Sequence, residues 1–179
     1  MEPGALQRGR LLNLPNVVSM SRLVLAAAFI VARAPAARLL LILAASATDY
    51  LDGWLARRQG SMTRWGALID PIADRAFVLT ALSVYLANGE LTVGQFFLLL
   101  TRDIATAIGF IVARTVSWLR PVVFRARWLG KIVTVLQLAT LLAVILAPGQ
   151  VAPLIWLVAV ASVASIADYT WALWRERGV

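Results

Sequence analysis

Four aspartates stand close together in a chain that is otherwise strongly apolar. Only nine acidic residues occur among the 179 residues, and four of them are Asp49, Asp52, Asp70 and Asp74. An aspartate near the middle of a membrane helix costs on the order of 3 kcal/mol on insertion scales. Carboxylates that converge also repel one another unless cations balance them. The cluster therefore indicates a site for divalent metal ions.

The spacing of these aspartates matches helix periodicity in two consecutive segments. On a helix, residues three, four and seven apart share one face. The first such stripe comprises Asp49, Asp52, Gly53 and Ala56, and the second comprises Gly66, Asp70 and Asp74. The loop between the two segments is short, which predicts antiparallel neighbours with both stripes at the same end. We expect the two stripes to face each other across one polar cavity.

The residue types around the cluster indicate which metal and which ligand it takes. Oxygen ligands without imidazole or thiolate favour a hard ion such as Mg²⁺ or Mn²⁺. Mg²⁺ usually keeps positions for water and substrate phosphate, so the cluster predicts a phosphorylated ligand. Gly53 and Ala56 leave room beside the metals, and Arg57 offers a guanidinium fork for phosphate oxygens. The alternative reading makes the aspartates helix caps or partners of nearby arginines, but it does not explain four carboxylates on matched helical faces.

Composition narrows the function classes further. The chain is 61% apolar with a mean hydropathy of +0.81, which is typical of a membrane protein. It has no cysteine and no histidine, which excludes disulfides, Cys or His zinc sites and Ser-His catalysis. A net charge of +8 fits anionic lipid headgroups. The basic residues are distributed between apolar stretches and do not form one basic face, so nucleic acid is not an expected partner.

Six segments approach the roughly 20 apolar residues that cross a bilayer. They are residues 17–34, 37–57, 67–87, 91–114, 130–147 and 151–173. Turn signals at Ala34-Pro35, Asn88-Gly89 and Pro148-Gly149 separate three pairs of them. We therefore predict an all-α, polytopic protein with six transmembrane helices over residues 17–173. Residues 1–16 form an N-terminal segment containing a candidate surface helix, and 174–179 form a tail.

The distribution of basic residues predicts the orientation. Arginine and lysine are concentrated in the two termini and in the longer loops 58–66 and 115–129, and the opposite side carries Arg33 and Arg38. The positive-inside rule then places both termini and the aspartates at the cytoplasmic face of the inner membrane. Residues 1–33 also have some features of a secretory signal, but Arg22 interrupts the apolar run and the rest of the chain is equally hydrophobic.

The two stripes form a longer motif with fixed spacing. It runs from Asp49 through Asp52, Gly53, Ala56 and Arg57, continues after eight residues at Gly66, and ends with Asp70 and Asp74. This motif resembles the full signature of the CDP-alcohol phosphatidyltransferase family. The resemblance extends to the six spans, to the segment 13–22 and to the segment 130–137, which opens the fifth span.

The resemblance implies a homodimeric helical membrane enzyme that uses CDP-diacylglycerol. It implies that Asp49, Asp52, Asp70 and Asp74 bind two divalent ions, and that the CDP-lipid is bound by Asp49, Asp52, Gly53, Ala56, Arg57 and Gly66. It also implies that Asp74 is the general base that deprotonates an acceptor alcohol, with CMP as the leaving group. A metal-bound aspartate is a weak base, so its role could instead be to orient the hydroxyl.

The acceptor alcohol is less narrowly defined by the sequence. An anionic acceptor needs basic residues near the cavity, and the candidates are Arg102, Arg120, Arg125, Arg127 and Lys131. Arg102 lies with Asp103 inside the fourth span, where it is either functional or part of an internal ion pair. The resemblance is to phosphatidylglycerophosphate synthases and to CMP-forming cardiolipin synthases. The segment Ala105–Val112 lacks the second arginine that often follows in the former group.

We predict glycerol 3-phosphate as the acceptor, because the basic 114–131 stretch suits a small phosphorylated alcohol. The alternatives are cardiolipin synthesis and an inositol phosphate acceptor. A function of another class is a small cation transporter, whose carboxylates would bind the moving ion. Transporters more often place their ion-binding charges near the bilayer midplane and within repeats, whereas the four aspartates are predicted at one membrane face and no internal repeat is visible in this sequence.

Overall fold

The computed structural model describes the backbone of residues 14–59, 66–115 and 128–175. Side-chain surroundings are described for 21–48, 75–109, 128–168 and 170–171. The N-terminal segment 1–13, most of the two longer loops and the last four residues lie outside the described residues.

The described residues form six α-helices and no strand. The helices are α1 (Leu14–Val31), α2 (Pro35–Gln59), α3 (Gly66–Ala87), α4 (Val93–Thr115), α5 (Trp128–Leu146) and α6 (Val151–Arg175). A 3₁₀ turn at Pro148–Gln150 leads into α6. The all-α prediction is confirmed, and each predicted span corresponds to one helix. That all six helices cross a membrane stays a prediction.

The helix ends follow from local sequence. Gly89 has a φ of 75°, a left-handed conformation that glycine adopts without a Cβ penalty, and it lies in the turn between α3 and α4. The start of α4 is a capping box. In it the Thr92 backbone N–H donates to Gln95 Oε1 (2.9 Å), while the Gln95 N–H donates to Thr92 Oγ1 (3.3 Å).

The first helix ends three residues earlier than predicted, at Val31 instead of residue 34. Ala34 precedes Pro35, whose ring disfavours a helical conformation for the residue before it. Pro35 itself opens α2, where its missing N–H costs nothing. Arg38 Nε donates to the Ala32 carbonyl (2.9 Å) and so satisfies one oxygen at the end of α1.

The chain divides into two compact units, residues 1–84 and 85–179. In the first unit α1 packs against α2, and Phe29 of α1 meets Phe77 of α3 edge to face with ring centroids 5.8 Å apart. Phe29 is fully buried and Phe77 almost so. The Arg38 guanidinium lies 5.7 Å from the Phe29 ring centroid. These contacts join the three helices around an apolar core.

In the second unit α6 packs against both α4 and α5. Its apolar core includes the fully buried Leu99, Val133, Leu141 and Val158. The Tyr85 hydroxyl donates to the Leu141 carbonyl (3.2 Å), which ties the end of α3 to α5.

The surface of the described helices is apolar where a soluble protein would be polar. On α6, Trp156, Leu157, Val160 and Val163 are more than half exposed, whereas the polar Ser162 on the same helix is fully buried. Exposed apolar area of this extent marks contact with lipid or another protein. Among the described residues, two helical stretches are long and apolar enough to cross a bilayer, Trp128–Leu146 and Pro148–Asp168. Shorter apolar stretches occur in α1, α2 and α3.

Candidate active site

The motif residues Asp49 to Arg57 all lie in α2, and Gly66 to Asp74 all lie in α3. Both segments are helical throughout, so the spacing of three and four residues places each pair of aspartates on one face of its helix. The side chains of residues 49–59 and 66–74 lie outside the described residues. The convergence of the four carboxylates on metal ions therefore stays a prediction. Within the part of the chain whose side chains are described, no three Asp, Glu, His or Cys residues form a metal-binding group.

Two hydroxyl residues precede the first aspartate on α2 and bond within the helix. Ser46 Oγ donates to the Ile42 carbonyl and Thr48 Oγ1 to the Ala45 carbonyl, each at 2.8 Å. Both hydroxyl groups therefore donate their hydrogen bonds to the backbone of α2 itself. The polar stripe of α2 therefore extends one turn before Asp49 without adding another charge.

A second polar cluster lies between α4 and α5, in the second unit. Arg102 and Asp103 are the tenth and eleventh residues of the 23-residue helix α4, and their side chains are 15% and 14% exposed. Arg102 Nη1 lies 3.9 Å from Asp103 Oδ1, which is an ion pair but too long for a hydrogen bond. The internal ion pair, one of the two readings that the sequence left open for these residues, is therefore present. Its geometry is not the bidentate fork of a strong arginine–carboxylate pair.

Thr106 fixes the backbone of α4 beneath this pair. Its hydroxyl lies 2.7 Å from the Arg102 carbonyl and 3.0 Å from the Asp103 carbonyl and donates to both. The hydrogen-bond donor of Thr106 is therefore satisfied within α4 and needs no partner on another helix.

Gln137 connects α5 to the acidic member of the pair. The side chain is 2% exposed, and its Nε2 donates to the Leu99 carbonyl (2.7 Å) and to Asp103 Oδ2 (2.9 Å). Both partners are acceptors, so the NH₂ end of the amide must face α4. This pair of hydrogen bonds fixes the carboxylate against a neighbouring helix.

Gly130 lies against the basic member of the pair. A Cβ built on Gly130 would overlap Arg102 Nη2 and lie 3.0 Å from Arg102 Cζ. Gly130 is buried near the start of α5. The guanidinium therefore occupies the space that any other residue at position 130 would fill.

The other predicted acceptor residues do not join this cluster in the described part of the chain. Lys131 is exposed, and its ammonium nitrogen lies 5.4 Å from the centroid of the Trp128 ring. Arg120, Arg125 and Arg127 lie outside the described residues. Arg102 is thus the one acceptor candidate whose described surroundings include a second helix.

Sequence reasoning did not single out Gln137 or Gly130 as site residues. A signal was present, because Gly130, Thr134 and Gln137 recur at helical spacing within an otherwise apolar helix. The partners of that polar stripe could not be read from sequence, since they depend on how α4 and α5 pack. Arg22 of α1, considered in the sequence only as a charge that interrupts an apolar run, is 3% exposed.

The profile of the CDP-alcohol phosphatidyltransferase family matches residues 12–168. This range includes both aspartate-bearing helices and the cluster between α4 and α5. It covers most of the chain and therefore all of the elements described above except the end of α6.

Individual relatives give the same result. An Aquifex aeolicus protein named CDP-diacylglycerol–glycerol-3-phosphate 3-phosphatidyltransferase is 37% identical over 58% of this chain and 62% of its own length. A Yersinia enterocolitica protein of the same name is 29% identical over 92% of this chain and 97% of its own length. A Mycobacterium tuberculosis protein named probable phosphatidylglycerophosphate synthase is 35% identical over 73% of this chain and 64% of its own length.

The extent of the profile match agrees with the signature motif and with the all-helical, apolar fold. The chain belongs to the CDP-alcohol phosphatidyltransferase family and is a membrane enzyme of phospholipid biosynthesis.

Proposed function

We propose that this enzyme transfers the phosphatidyl group of CDP-diacylglycerol to glycerol 3-phosphate and releases CMP. The observation that carries the acceptor is the similarity to proteins named for glycerol 3-phosphate, one of which matches 92% of the chain. Arg102 supports the same acceptor, because its guanidinium is mostly buried in α4 and faces α5. A charge at this depth of an apolar helix is a functional candidate by location.

The donor set of α2 and α3 fits divalent ions. Asp49, Asp52, Asp70 and Asp74 would hold them, and carboxylate oxygens are the ligands that Mg²⁺ and Mn²⁺ prefer. The regular helical spacing of both segments supports two matched pairs of ligands. When bound, such ions neutralise the charge that develops on the phosphoryl oxygens.

The residues of the motif have separate tasks in this proposal. Gly53 and Ala56 allow the diphosphate of the CDP-lipid to approach the backbone of α2, and Arg57 binds its oxygens. Asp74 orients the acceptor hydroxyl and takes up its proton. The hydroxyl oxygen forms a bond to the phosphorus that carries diacylglycerol, and the bond from that phosphorus to the CMP oxygen breaks. CMP leaves with the bridging oxygen, so atoms and charge balance.

The wider architecture belongs to the same proposal. All six helices cross the inner membrane, both termini are cytoplasmic, and the aspartates open to the cytoplasm. The enzyme is a homodimer, as the family resemblance implies. The apolar surfaces of the described helices support membrane insertion.

A panel of acceptors tests the proposal directly. Purified enzyme, CDP-diacylglycerol and Mg²⁺ or Mn²⁺ would be incubated with glycerol 3-phosphate, inositol phosphate or phosphatidylglycerol, and the lipid products would be identified by mass. We expect CMP and phosphatidylglycerophosphate with glycerol 3-phosphate. Cardiolipin as the main product would favour the alternative of cardiolipin synthesis, with which the uncharged segment Ala105–Val112 is consistent. Phosphatidylinositol phosphate as the main product would favour inositol phosphate as the acceptor. Lack of any transfer would contradict the proposal.

A further inference from the structure

We propose that α5 positions the Arg102–Asp103 pair of α4 for acceptor binding, with Gly130 and Gln137 as the positioning residues. Gly130 provides the space for the guanidinium, and Gln137 holds the carboxylate beside it. The inference rests on the proposed function, in which Arg102 binds the acceptor's phosphate. Neither positioning residue need touch the substrate.

The space beside Arg102 is limited by the backbone of α5. The guanidinium lies so close to the Gly130 backbone that a single added carbon would overlap Nη2 and approach Cζ to 3.0 Å. Cβ atoms essentially never lie nearer than 3.0 Å to other heavy atoms. An alanine at position 130 must therefore move the guanidinium. Interiors pack too tightly to absorb such a change without displacement.

The direction of the Asp103 side chain is fixed by a contact with α5. Adjacent residues on a helix point about 100° apart and do not face each other, so α4 alone does not set the geometry of Arg102 relative to Asp103. Gln137 supplies the missing constraint, because it donates to Asp103 Oδ2 (2.9 Å) and to the Leu99 carbonyl (2.7 Å). With Oδ2 held by Gln137, Oδ1 is the oxygen that lies 3.9 Å from Arg102 Nη1.

The two contacts lie on the same face of α5. Gly130 and Gln137 are seven residues apart, two turns along one face of α5. One face of this helix thus fixes both members of the pair, at the guanidinium and at the carboxylate. Binding of a phosphate by arginine depends on the position and orientation of its planar fork. Displacing that fork should weaken acceptor binding more than binding of the CDP-lipid, which is assigned to α2 and α3.

The first experiment replaces Gly130 with alanine and uses Gly109→Ala as the matched control. Gly109 also lies in a helix, α4, but a Cβ there would meet nothing within 4 Å. We expect Gly130→Ala to raise the KM for glycerol 3-phosphate about tenfold, as a weakened charge-assisted hydrogen bond would. The KM for CDP-diacylglycerol should stay within about twofold in both variants. Equal KM values in Gly130→Ala and Gly109→Ala would overturn the role of Gly130.

The second experiment removes the amide of Gln137 while keeping a similar volume. Gln137→Leu is compared with Thr140→Val, one turn further on α5, since the Thr140 hydroxyl is also buried but donates to Leu136 of its own helix (2.8 Å). We expect Gln137→Leu to raise the acceptor KM, Gln137→Glu to raise it further by repelling Asp103, and Thr140→Val to leave it unchanged. A parallel rise in both substrates' KM values with Gln137→Leu would indicate general destabilisation and overturn the positioning role.

A double-mutant cycle covers the case in which Gly130→Ala does not fold. In an Arg102→Ala background the clash is absent, so Arg102→Ala/Gly130→Ala should fold and match Arg102→Ala in acceptor KM. A further loss in the double variant would contradict a steric link between the two residues. Failure of the proposed function has a different signature, because wild-type enzyme would then release no CMP with glycerol 3-phosphate.

Discussion

Charged residues inside apolar helices are costly, and this chain offsets the cost differently at its two polar clusters. Between α4 and α5, Arg102 and Asp103 lie within 3.9 Å of each other, and the carboxylate also accepts a hydrogen bond from Gln137. The charge of each residue is therefore partly compensated by other protein groups, as buried charges require. The four aspartates of α2 and α3 carry the same sign, so we attribute their balance to bound cations.

Removal of single aspartates tests that attribution. Asp49→Ala, Asp52→Ala and Asp70→Ala should each lower metal affinity and turnover together, because the remaining ligands no longer balance the ion. The loss should be at least the roughly 10–100-fold that follows from altering outer-shell partners of metal sites. CMP release as a function of Mn²⁺ concentration measures both quantities. The exposed Glu90 in the α3–α4 turn provides a control, since Glu90→Gln should leave both unchanged. Normal metal dependence in the aspartate variants would show that they are not ligands.

At the scale of the elements, hydrophobic runs and turn residues predicted all six helices. The end of α3 and the start of α6 match their predicted positions because Asn88-Gly89 and Pro148-Gly149 interrupt the chain locally. The predicted end of α1 was wrong by three residues, because Pro35 has no N–H to donate to the Val31 carbonyl and its ring clashes with that carbonyl. The capping box at Thr92 and Gln95 was not identified, although its residues are visible in the sequence.

The contacts of α5 could not be predicted in the same way. The polar positions of this helix repeat with helical spacing, but their partners on α4 lie more than 25 positions away in sequence. Such pairs are fixed by helix packing, which depends on many side chains at once. The sequence therefore indicated Arg102 as a candidate by its depth in an apolar helix, while its neighbours Gly130 and Gln137 required the structure.

The α3–α4 turn offers a stability test at this scale. Gly89 has a φ of 75°, and a Cβ there would meet nothing within 4 Å, so Gly89→Ala changes strain without a clash. We expect Gly89→Ala to lower the free energy of unfolding by about 1 kcal/mol, and the melting temperature by roughly 2–4 °C. Gly149→Ala is the control, because Gly149 also has open space and no positive φ. Thermal unfolding in detergent compares them, and equal melting temperatures would contradict the strain argument.

At the scale of the whole molecule, the distribution of polarity matches a bilayer environment. Large apolar side chains are exposed on each of the six helices, while the buried positions of the described residues include Arg22, Gln137, Thr140, Ser162 and Ser165. In a bilayer the hydrophobic effect does not drive helices together, because the lipid tails are as apolar as the side chains. Contacts between helices are therefore often made by polar and small residues. This pattern agrees with the predicted topology of six membrane spans.

Single introduced cysteines can test the topology without background, because the natural chain contains none. Asn88→Cys and Gln150→Cys lie in turns assigned to the outer side, and Ser61→Cys and Ser117→Cys lie in the loops assigned to the cytoplasm. In sealed right-side-out vesicles, a membrane-impermeant maleimide should label the first pair at once and the second pair only after permeabilisation. The reverse pattern would invert the orientation, and labelling of all four would contradict six spans.

We propose that metal ions held by the aspartates of α2 and α3 support phosphatidyl transfer to glycerol 3-phosphate. The most direct measurement is CMP release by the purified enzyme with CDP-diacylglycerol and glycerol 3-phosphate, before and after excess chelator and again after Mg²⁺ or Mn²⁺ is restored. We predict that release stops with chelator, returns with either ion, and requires both substrates. Undiminished CMP release in excess chelator would contradict the account.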